Sequence, residues 1–274
     1  MSNLLYHYTS IETFYKMLEK SLKVTEEGSL LIKFWATHCD FLNDRTEGKL
    51  FKQCLLSDLN EYASLHSHKL TDKEIEQFNK MYSINDSFVI SFSKHRDSLD
   101  MWRAYGANGK GICLGFDFSP TDPYMDSEGV FRPSETIDIK ECKYFLPSEN
   151  IDLKIVEDVY NKVITPELDT ISAASQMARS LRFGLIYKHR AYQSESEYRL
   201  VIRKYPYEKD IKFIENTLRP YIEYPIEITR LKRIVIGPCL NPEETKTQIS
   251  QILRYKGIKK LISKHLRFHI EDNS

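Results

Sequence analysis

Three charged residues at alternate positions, Glu195, Glu197 and Arg199, are the side chains of this chain best suited to chemistry. They lie in the run SESEYRLVI, residues 194–202, whose branched and aromatic residues favour a β-strand. Side chains alternate between the faces of a strand, so we expect these three on one face and the apolar residues on the other. A fixed carboxylate there could stabilise a positive charge or accept a proton. The alternative is an ordinary solvated face, balanced by Arg199 and Lys188.

A histidine near the start of the chain is the second candidate. LLYHYTS predicts a short strand from Leu4 to Tyr8, and Thr9 with Glu12 forms a capping box that predicts a helix directly after it. His7 would therefore lie just before a helix N-terminus, where ligands are often held. A structural histidine bonded to the backbone is the alternative.

A tyrosine in the middle of the chain is the third candidate. The sequence predicts a strand from Phe88 to Phe92, a short helix capped by Asp97 or Ser98 and stopped at Gly106, and a further strand, 111–116. Tyr105 then falls at the end of the short helix, although Tyr105 and Trp102 also suit a core. The Gly-x-Gly at 109–111 is not followed by a helix and is not a dinucleotide-binding fingerprint.

Composition narrows the class of protein. The chain has 274 residues, no net charge and five cysteines without a CxxC pair, which predicts an ordered globular protein in a reducing cytoplasm. We find no secretory signal and no apolar run long enough for a membrane span. His38, Cys39 and Asp40 are not expected to bind metal, because neighbours on a strand point to opposite faces.

The remaining elements are also predicted from pattern. They are a strand at 30–36, a helix through Leu50 and Leu59, a helical insertion near 60–86 with a Thr71–Glu74 capping box, a strand at 137–145, a helical segment near 151–187 broken near Pro166, a strand at 231–237, a helix from Pro242 to about Tyr255, and a strand at 261–270.

The motifs LYHYTS, SFS…DSLDMWRAYG…GKGICLGFD and ESEYRLV resemble, over nearly the whole chain, a bacterial family catalogued as a domain of unknown function. That family is similar to the ADP-ribosyltransferase superfamily, whose members cleave NAD. The resemblance implies an α+β fold: a single domain, 1–274, built on a split, mixed β-sheet surrounded by helices. It also implies NAD as co-substrate and no metal.

The resemblance further implies a role for each site residue. His7 would bond the ribose 2′-OH, Tyr105 would stack on the nicotinamide ring, and Glu197 would stabilise the cationic transition state, while Glu195 with Arg199 would bind the acceptor. No phosphate-binding motif is evident, so Lys188 and Arg199 are candidates for that role. The other residues implied to line the nucleotide site are Tyr8, Thr9, Ser91, Ser93 and Trp102.

The function that follows is an NAD-dependent mono-ADP-ribosyltransferase, a toxin-like effector in bacterial conflict or phage defence with an antitoxin as partner. An NAD glycohydrolase and a non-catalytic module that binds a nucleotide or a partner are the alternatives. The first 178 residues carry a charge of about −9 and the rest about +9. Nucleic acid is therefore favoured over protein as acceptor, provided that the C-terminal cations edge the NAD cleft: Arg199, Arg203, Lys204, Arg230, Lys232 and Arg233.

Overall fold

Most strands of this protein join one sheet, with helices packed against it, so the α+β class is confirmed. The computed structural model describes residues 4–19, 31–42, 49–81, 87–118, 139–164, 182–204, 210–258 and 269–271. The strands described are β1 (Leu4–Thr9), β2 (Leu31–His38), β3 (Ser87–Ser93), β4 (Ile112–Asp117), β5 (Ile139–Glu141), β6 (Lys143–Phe145), β7 (Tyr187–His189), β8 (Glu197–Arg203), β9 (Lys212–Phe213), β10 (Pro220–Glu227), β11 (Leu231–Ile236) and β12 (His269–Glu271). The helices described are α1 (Ile11–Glu19), α2 (Lys49–Leu65), α3 (Asp72–Met81), α4 (Leu99–Ala104), α5 (Leu153–Ile164) and α6 (Pro242–Tyr255).

The sheet divides along one edge of β3. Strand β8 pairs with the whole of β3, from Ser87 to Ser93, and so occupies one edge. The other edge is shared, because β1 pairs only at Ser93 and β2 only at Phe88 and Val89. From there β1 continues into β4, β11 and β12, whereas β2 continues into β10 and β9. The sheet is mixed, since β11 and β12 are parallel while its other pairs are antiparallel.

The two largest groups of buried side chains among the described residues hold most of these elements. The larger lies on one face of the sheet, where aromatic residues of β2, β3 and β4 meet at ring distances of 5.2 to 6.3 Å and helices α1 and α6 cover them. A second group joins α2, α3 and α5 to the small parallel pair of β6 and β7. Burying apolar side chains of this size is the main favourable term in folding.

The structure confirms several local predictions. Thr71 and Glu74 form the reciprocal capping box at the start of α3, with bonds of 2.7 and 3.3 Å. Strand β3, helix α4 and strand β4 follow in the predicted order. Helix α6 begins at Pro242, after an Asn241 side chain that accepts a bond from the Glu244 amide.

Other boundaries were wrong. Ser10, not Thr9, caps α1, because its Oγ accepts the Thr13 amide while Glu12 bonds Lys16. The helical segment predicted up to residue 187 ends differently, since residues 182–186 form a 3-10 turn and Tyr187 starts β7. The insertion near 60–86 comprises the end of α2 and α3. Pro166, residues 82–86 and most of the predicted final strand lie outside the described residues.

Gly106 follows α4 for a steric reason. Its φ is −96°, an ordinary value, so left-handed backbone does not explain the glycine. A Cβ there would lie 2.4 Å from Cε3 of Trp102, a ring that is 1% exposed. We expect Gly106→Ala to lower the free energy of unfolding by about 1–3 kcal/mol, because the packed ring must move.

Denaturant unfolding of a double-mutant cycle would test this expectation. Trp102→Leu opens space for the added methyl group, so Gly106→Ala should cost less in that background. If Gly106→Ala lowered the free energy of unfolding equally in both backgrounds, the Trp102 ring would not be the reason for a glycine at this position.

Candidate functional site

A cleft of about 190 Å³ opens where β1 and β2 separate along β3. As expected, His7, Tyr105 and Glu197 all lie in its lining, although they come from β1, the end of α4 and β8. Ser91 and Arg199, which face each other across β3 and β8, complete the floor. The sheet topology therefore brings three distant segments of the chain to one cavity.

His7 bridges the gap in the sheet. Its Nδ1 lies 2.9 Å from the carbonyl oxygen of Ser91, and its ring lies 5.0 Å from Phe34 and 5.8 Å from Phe92. Burial lowers the pKa of His7, against a smaller opposing effect of the Ser91 carbonyl. A carbonyl only accepts, so Nδ1 carries the proton and Nε2 of the neutral ring is left as an acceptor. The alternative reading of a backbone-bonded histidine therefore holds, and it leaves one ring nitrogen for a hydroxyl donor.

Four buried charged residues form an ion-pair cluster, and all but Glu195 line the cleft: Lys188, Glu195, Glu197 and Arg199, exposed by 3%, 8%, 3% and 1%. Lys188 Nζ donates to Glu195 Oε2 at 2.5 Å and to Glu197 Oε2 at 2.8 Å. Arg199 donates through Nε and Nη2 to the two oxygens of Glu197, at 2.8 and 2.9 Å. The solvated face that sequence allowed as an alternative is wrong, because all four residues are buried.

Glu197 is ionised at every pH at which a protein normally works. Burial by itself would raise its pKa, but Arg199 and Lys188 reverse this and hold the pKa of Glu197 at about 2. Such a carboxylate is a poor general base near neutral pH and a good fixed charge. Described residues use three of its roughly four acceptor positions, which leaves one on Oε1 within that part of the chain for another donor.

Glu195 reaches the cluster by a route that differs from the prediction. The strand begins at Glu197 rather than Ser194, and Arg190–Glu195 form a 3-10 turn that ends at Ser196, with φ of 41°. Glu195 is therefore not on the same strand face as Glu197, and the expectation of two carboxylates about 7 Å apart along a strand was wrong. The turn instead directs both glutamates to the one ammonium group of Lys188.

Tyr105 connects the cleft to this cluster. Its hydroxyl donates to Glu195 Oε1 at 3.1 Å, and its ring is half-buried. Burial, followed by the charge of Glu195, raises the pKa of Tyr105, so the hydroxyl stays protonated. A stacked ring and a fixed hydroxyl are both available at this position.

Four other predicted site residues lie beside the cleft rather than in its lining. Trp102 is buried against the ring of Tyr8, at 4.8 Å, and donates from Nε1 to Asp97. The Tyr8 hydroxyl donates to the His95 carbonyl and accepts the Ser98 amide. Ser93 and Thr9 are also buried, and Ser93 Oγ donates to the Glu195 carbonyl at 2.7 Å. These contacts position Tyr105 and Glu195; the nucleotide-binding roles of the four stay predictions.

The structure corrects the reasoning about His38, Cys39 and Asp40. The strand ends at His38 and the chain turns, so one potential ligand atom from each residue lies within 4.8 Å of the others. The argument from alternating faces was therefore wrong. Burial raises the pKa of the Cys39 thiol to about 12.

The cations expected to edge the cleft are largely elsewhere. Arg199 lines it but is neutralised by Glu197. Lys204 pairs with Asp210, and Arg230, Lys232 and Arg233 lie at or beside β11, beyond β1 and β4. The side chain of Arg203 lies outside the described residues. Of these cations only Arg199 is found in the described lining, so the premise for nucleic acid as acceptor is not met at Lys204, Arg230, Lys232 and Arg233.

Several lining residues were missed by sequence reasoning. They are Trp35 and Thr37 on β2, Phe41 and Leu42 in the turn after it, and Arg219 just before β10. A single charged or aromatic residue in a turn carries no sequence signal that separates it from ordinary surface.

The first prediction from this site concerns stability. Glu197→Gln leaves Lys188 and Arg199 buried with one carboxylate fewer, and we expect it to lower the free energy of unfolding by about 3–5 kcal/mol. The double change Lys188→Met with Glu197→Gln removes one charge of each sign and should cost less. Urea unfolding measures the stability of both variants. A Glu197→Gln protein as stable as wild type would contradict the importance of charge balance in this cluster.

The second prediction concerns pH. The pKa of Glu197 is about 2 when folded, against an ordinary 4.5, so its stabilisation is present above pH 4.5 and is lost as the pH falls towards 2. This group should contribute about 3 kcal/mol to the loss. Urea unfolding from pH 6 to 2 should therefore show a shallower decline in the Lys188→Met, Glu197→Gln variant than in wild type. The exposed Glu215→Gln change should keep the wild-type slope; parallel curves for all three proteins would contradict the assignment.

Comparison with known proteins gives one match. Residues 101–200 match the model of a family described as a protein of unknown function (DUF2971), a segment that holds Tyr105, Lys188, Glu195, Glu197 and Arg199. No curated protein and no solved structure matches the chain. Among the described residues, no helix is both long and apolar enough to cross a membrane.

Proposed function

We propose that this protein is an NAD-dependent ADP-ribosyltransferase with His7, Tyr105 and Glu197 as its catalytic residues. The observation that carries the proposal is their meeting in one cleft at the split of the sheet. The resemblance of their motifs to the superfamily supplies the reaction. A split sheet with a late glutamate strand is the core that the resemblance implies.

The residues present fit the nicotinamide end of NAD. His7 offers Nε2 as an acceptor for a ribose hydroxyl, Tyr105 offers a half-buried ring for stacking, and Glu197 has one acceptor position left on Oε1. The cleft holds about 190 Å³, below the roughly 300 Å³ at which small-molecule pockets usually begin. One end of the dinucleotide would therefore enter, and the rest would lie across the rim.

The chemistry needs a fixed negative charge. When the glycosidic bond breaks, its electron pair leaves with nicotinamide and the ribose C1′ becomes cationic. Glu197, ionised at any pH above about 2, would stabilise that charge without first losing a proton. Because Glu197 is a weak base, the proton of a macromolecular acceptor would go to another group, and Glu195 is the other carboxylate of the cluster.

The identity of the nucleophile distinguishes a transferase from a glycohydrolase. A protein or nucleic-acid acceptor makes the enzyme a transferase, with the toxin-like role and the antitoxin partner that the resemblance implies. Water makes it an NAD glycohydrolase. Neither acceptor is favoured by the cations around the described cleft.

One observation favours a second candidate, a module that binds a nucleotide without cleaving it. Glu197 is bonded by two cations, and the charges of the ion-pair cluster sum to zero, which weakens the field that a cationic transition state would feel. Binding without release of nicotinamide would identify this case.

Charge-matched double variants give the sharpest test. Lys188→Met with Glu197→Gln, and Lys188→Met with Glu195→Gln, each remove one charge of each sign from the same cluster. We expect the first to lose nicotinamide release on the order of 10²-fold or more, because it lacks the stabilising carboxylate. The second should retain release and weaken only transfer to an acceptor.

The measurement is nicotinamide release from NAD, with circular dichroism to verify that each variant is folded. Equal release by both variants would eliminate Glu197 as the catalytic group. Wild-type protein that binds NAD but releases no nicotinamide would favour the binding module.

A further inference from the structure

Arg219 is a cation at the mouth of the cleft whose charge nothing balances in the part of the chain that the structure describes. It lines the cleft and its side chain is exposed. The other two cations in the lining, Lys188 and Arg199, are buried in ion pairs with Glu195 and Glu197. Arg219 is thus placed to attract an anion, whereas the paired cations inside the cleft are not.

The neighbouring lysines on this face of the sheet share one carboxylate. Trp35, Glu223, Lys33 and Lys212 lie on the face of β2, β10 and β9 that carries the cleft. Glu223 pairs with Lys212 at 2.8 Å and with Lys33 at 3.3 Å. Lys212, the other basic residue of this hairpin, thus has a carboxylate partner, which Arg219 lacks among the described residues.

The backbone before Arg219 is held in an uncommon conformation. Leu218 has φ of 51°, in the left-handed region that leucine rarely adopts, and its side chain is 70% exposed. The turn is closed by bonds from the Leu218 amide to the Ile214 carbonyl and from the Ile214 amide to the Arg219 carbonyl, at 2.8 and 3.1 Å. Pro220 begins β10 and restricts Arg219 to extended backbone. Strained residues of this kind cluster at ligand sites.

An aromatic ring, Trp35, lies in the same cleft lining as Arg219. The ring of Trp35 lines the cleft and lies 4.9 Å from the ring of Tyr221, two residues after Arg219. A guanidinium and an indole ring in the lining of one cleft suit a ligand with phosphates and a planar base, because guanidinium binds phosphate through two parallel bonds.

We propose that Arg219 binds the diphosphate of the dinucleotide whose nicotinamide end enters the cleft. This inference rests on the proposed function for the identity of that end, and it supplies the phosphate contact that no sequence motif indicated. The limited volume of the cleft requires the diphosphate to lie at the rim, which is where Arg219 is found.

The test measures binding by isothermal titration calorimetry and needs no catalysis. Its probes are ADP-ribose, which carries the diphosphate, and nicotinamide riboside, which carries no phosphate. Arg219→Ala should bind ADP-ribose on the order of 10-fold more weakly, and Arg219→Lys should lose less. Binding of nicotinamide riboside should be unchanged in both. Lys212→Ala, on the same hairpin but paired with Glu223, is the matched control and should bind ADP-ribose as wild type does.

The outcomes separate this inference from the proposed function. Equal ADP-ribose affinity in wild type and Arg219→Ala would overturn the role of Arg219, as would an equal loss in Lys212→Ala or no binding by wild type. Nicotinamide release by wild type, measured separately, would leave the enzyme proposal standing in each of those cases. Arg219-dependent ADP-ribose binding without nicotinamide release would support the phosphate site and reject catalysis.

Discussion

The burial of four charges in one cluster is the constraint on which the rest of this site depends. Lys188 and Arg199 are almost fully buried, and each would be costly there without its carboxylate partners. Their pairing joins β7, the 3-10 turn before β8, and β8 itself, while the Arg199 guanidinium also donates to the Leu185 carbonyl. Because an unpaired buried charge is expensive, these segments are held together more specifically than apolar packing alone would require.

The split of the sheet gives this cluster its access to ligands. Had either β1 or β2 paired with β3 along this whole edge, backbone bonds would have closed the space that the cleft occupies. Instead the Ser91 carbonyl, between the two strands, accepts from His7. The cost of leaving a strand edge partly unpaired is thus offset by a side chain, and the same side chain retains a nitrogen for a ligand.

The electrostatics of the cleft change from its floor to its rim. The floor is neutral in sum, because two carboxylates face two cations, and it holds a neutral imidazole and a protonated tyrosine. The rim carries the positive charge of Arg219. This change in charge is matched by a ligand whose anionic part lies at the rim, as the diphosphate of the proposed dinucleotide would.

Local features of this protein were predictable from its residue patterns. Alternation along β8 correctly placed Glu197 and Arg199 on one face, and the order of strand, short helix and strand located Tyr105. Residue spacing located the capping box of α3, since such bonds span three residues. Three features became visible only in the folded chain. Glu195 lies in the turn before the strand, both glutamates bond Lys188, and Arg219 lines the cleft. The physical reason is that periodicity and caps act within one or two turns of backbone, whereas charge pairing and cleft lining depend on which strands become neighbours in the sheet.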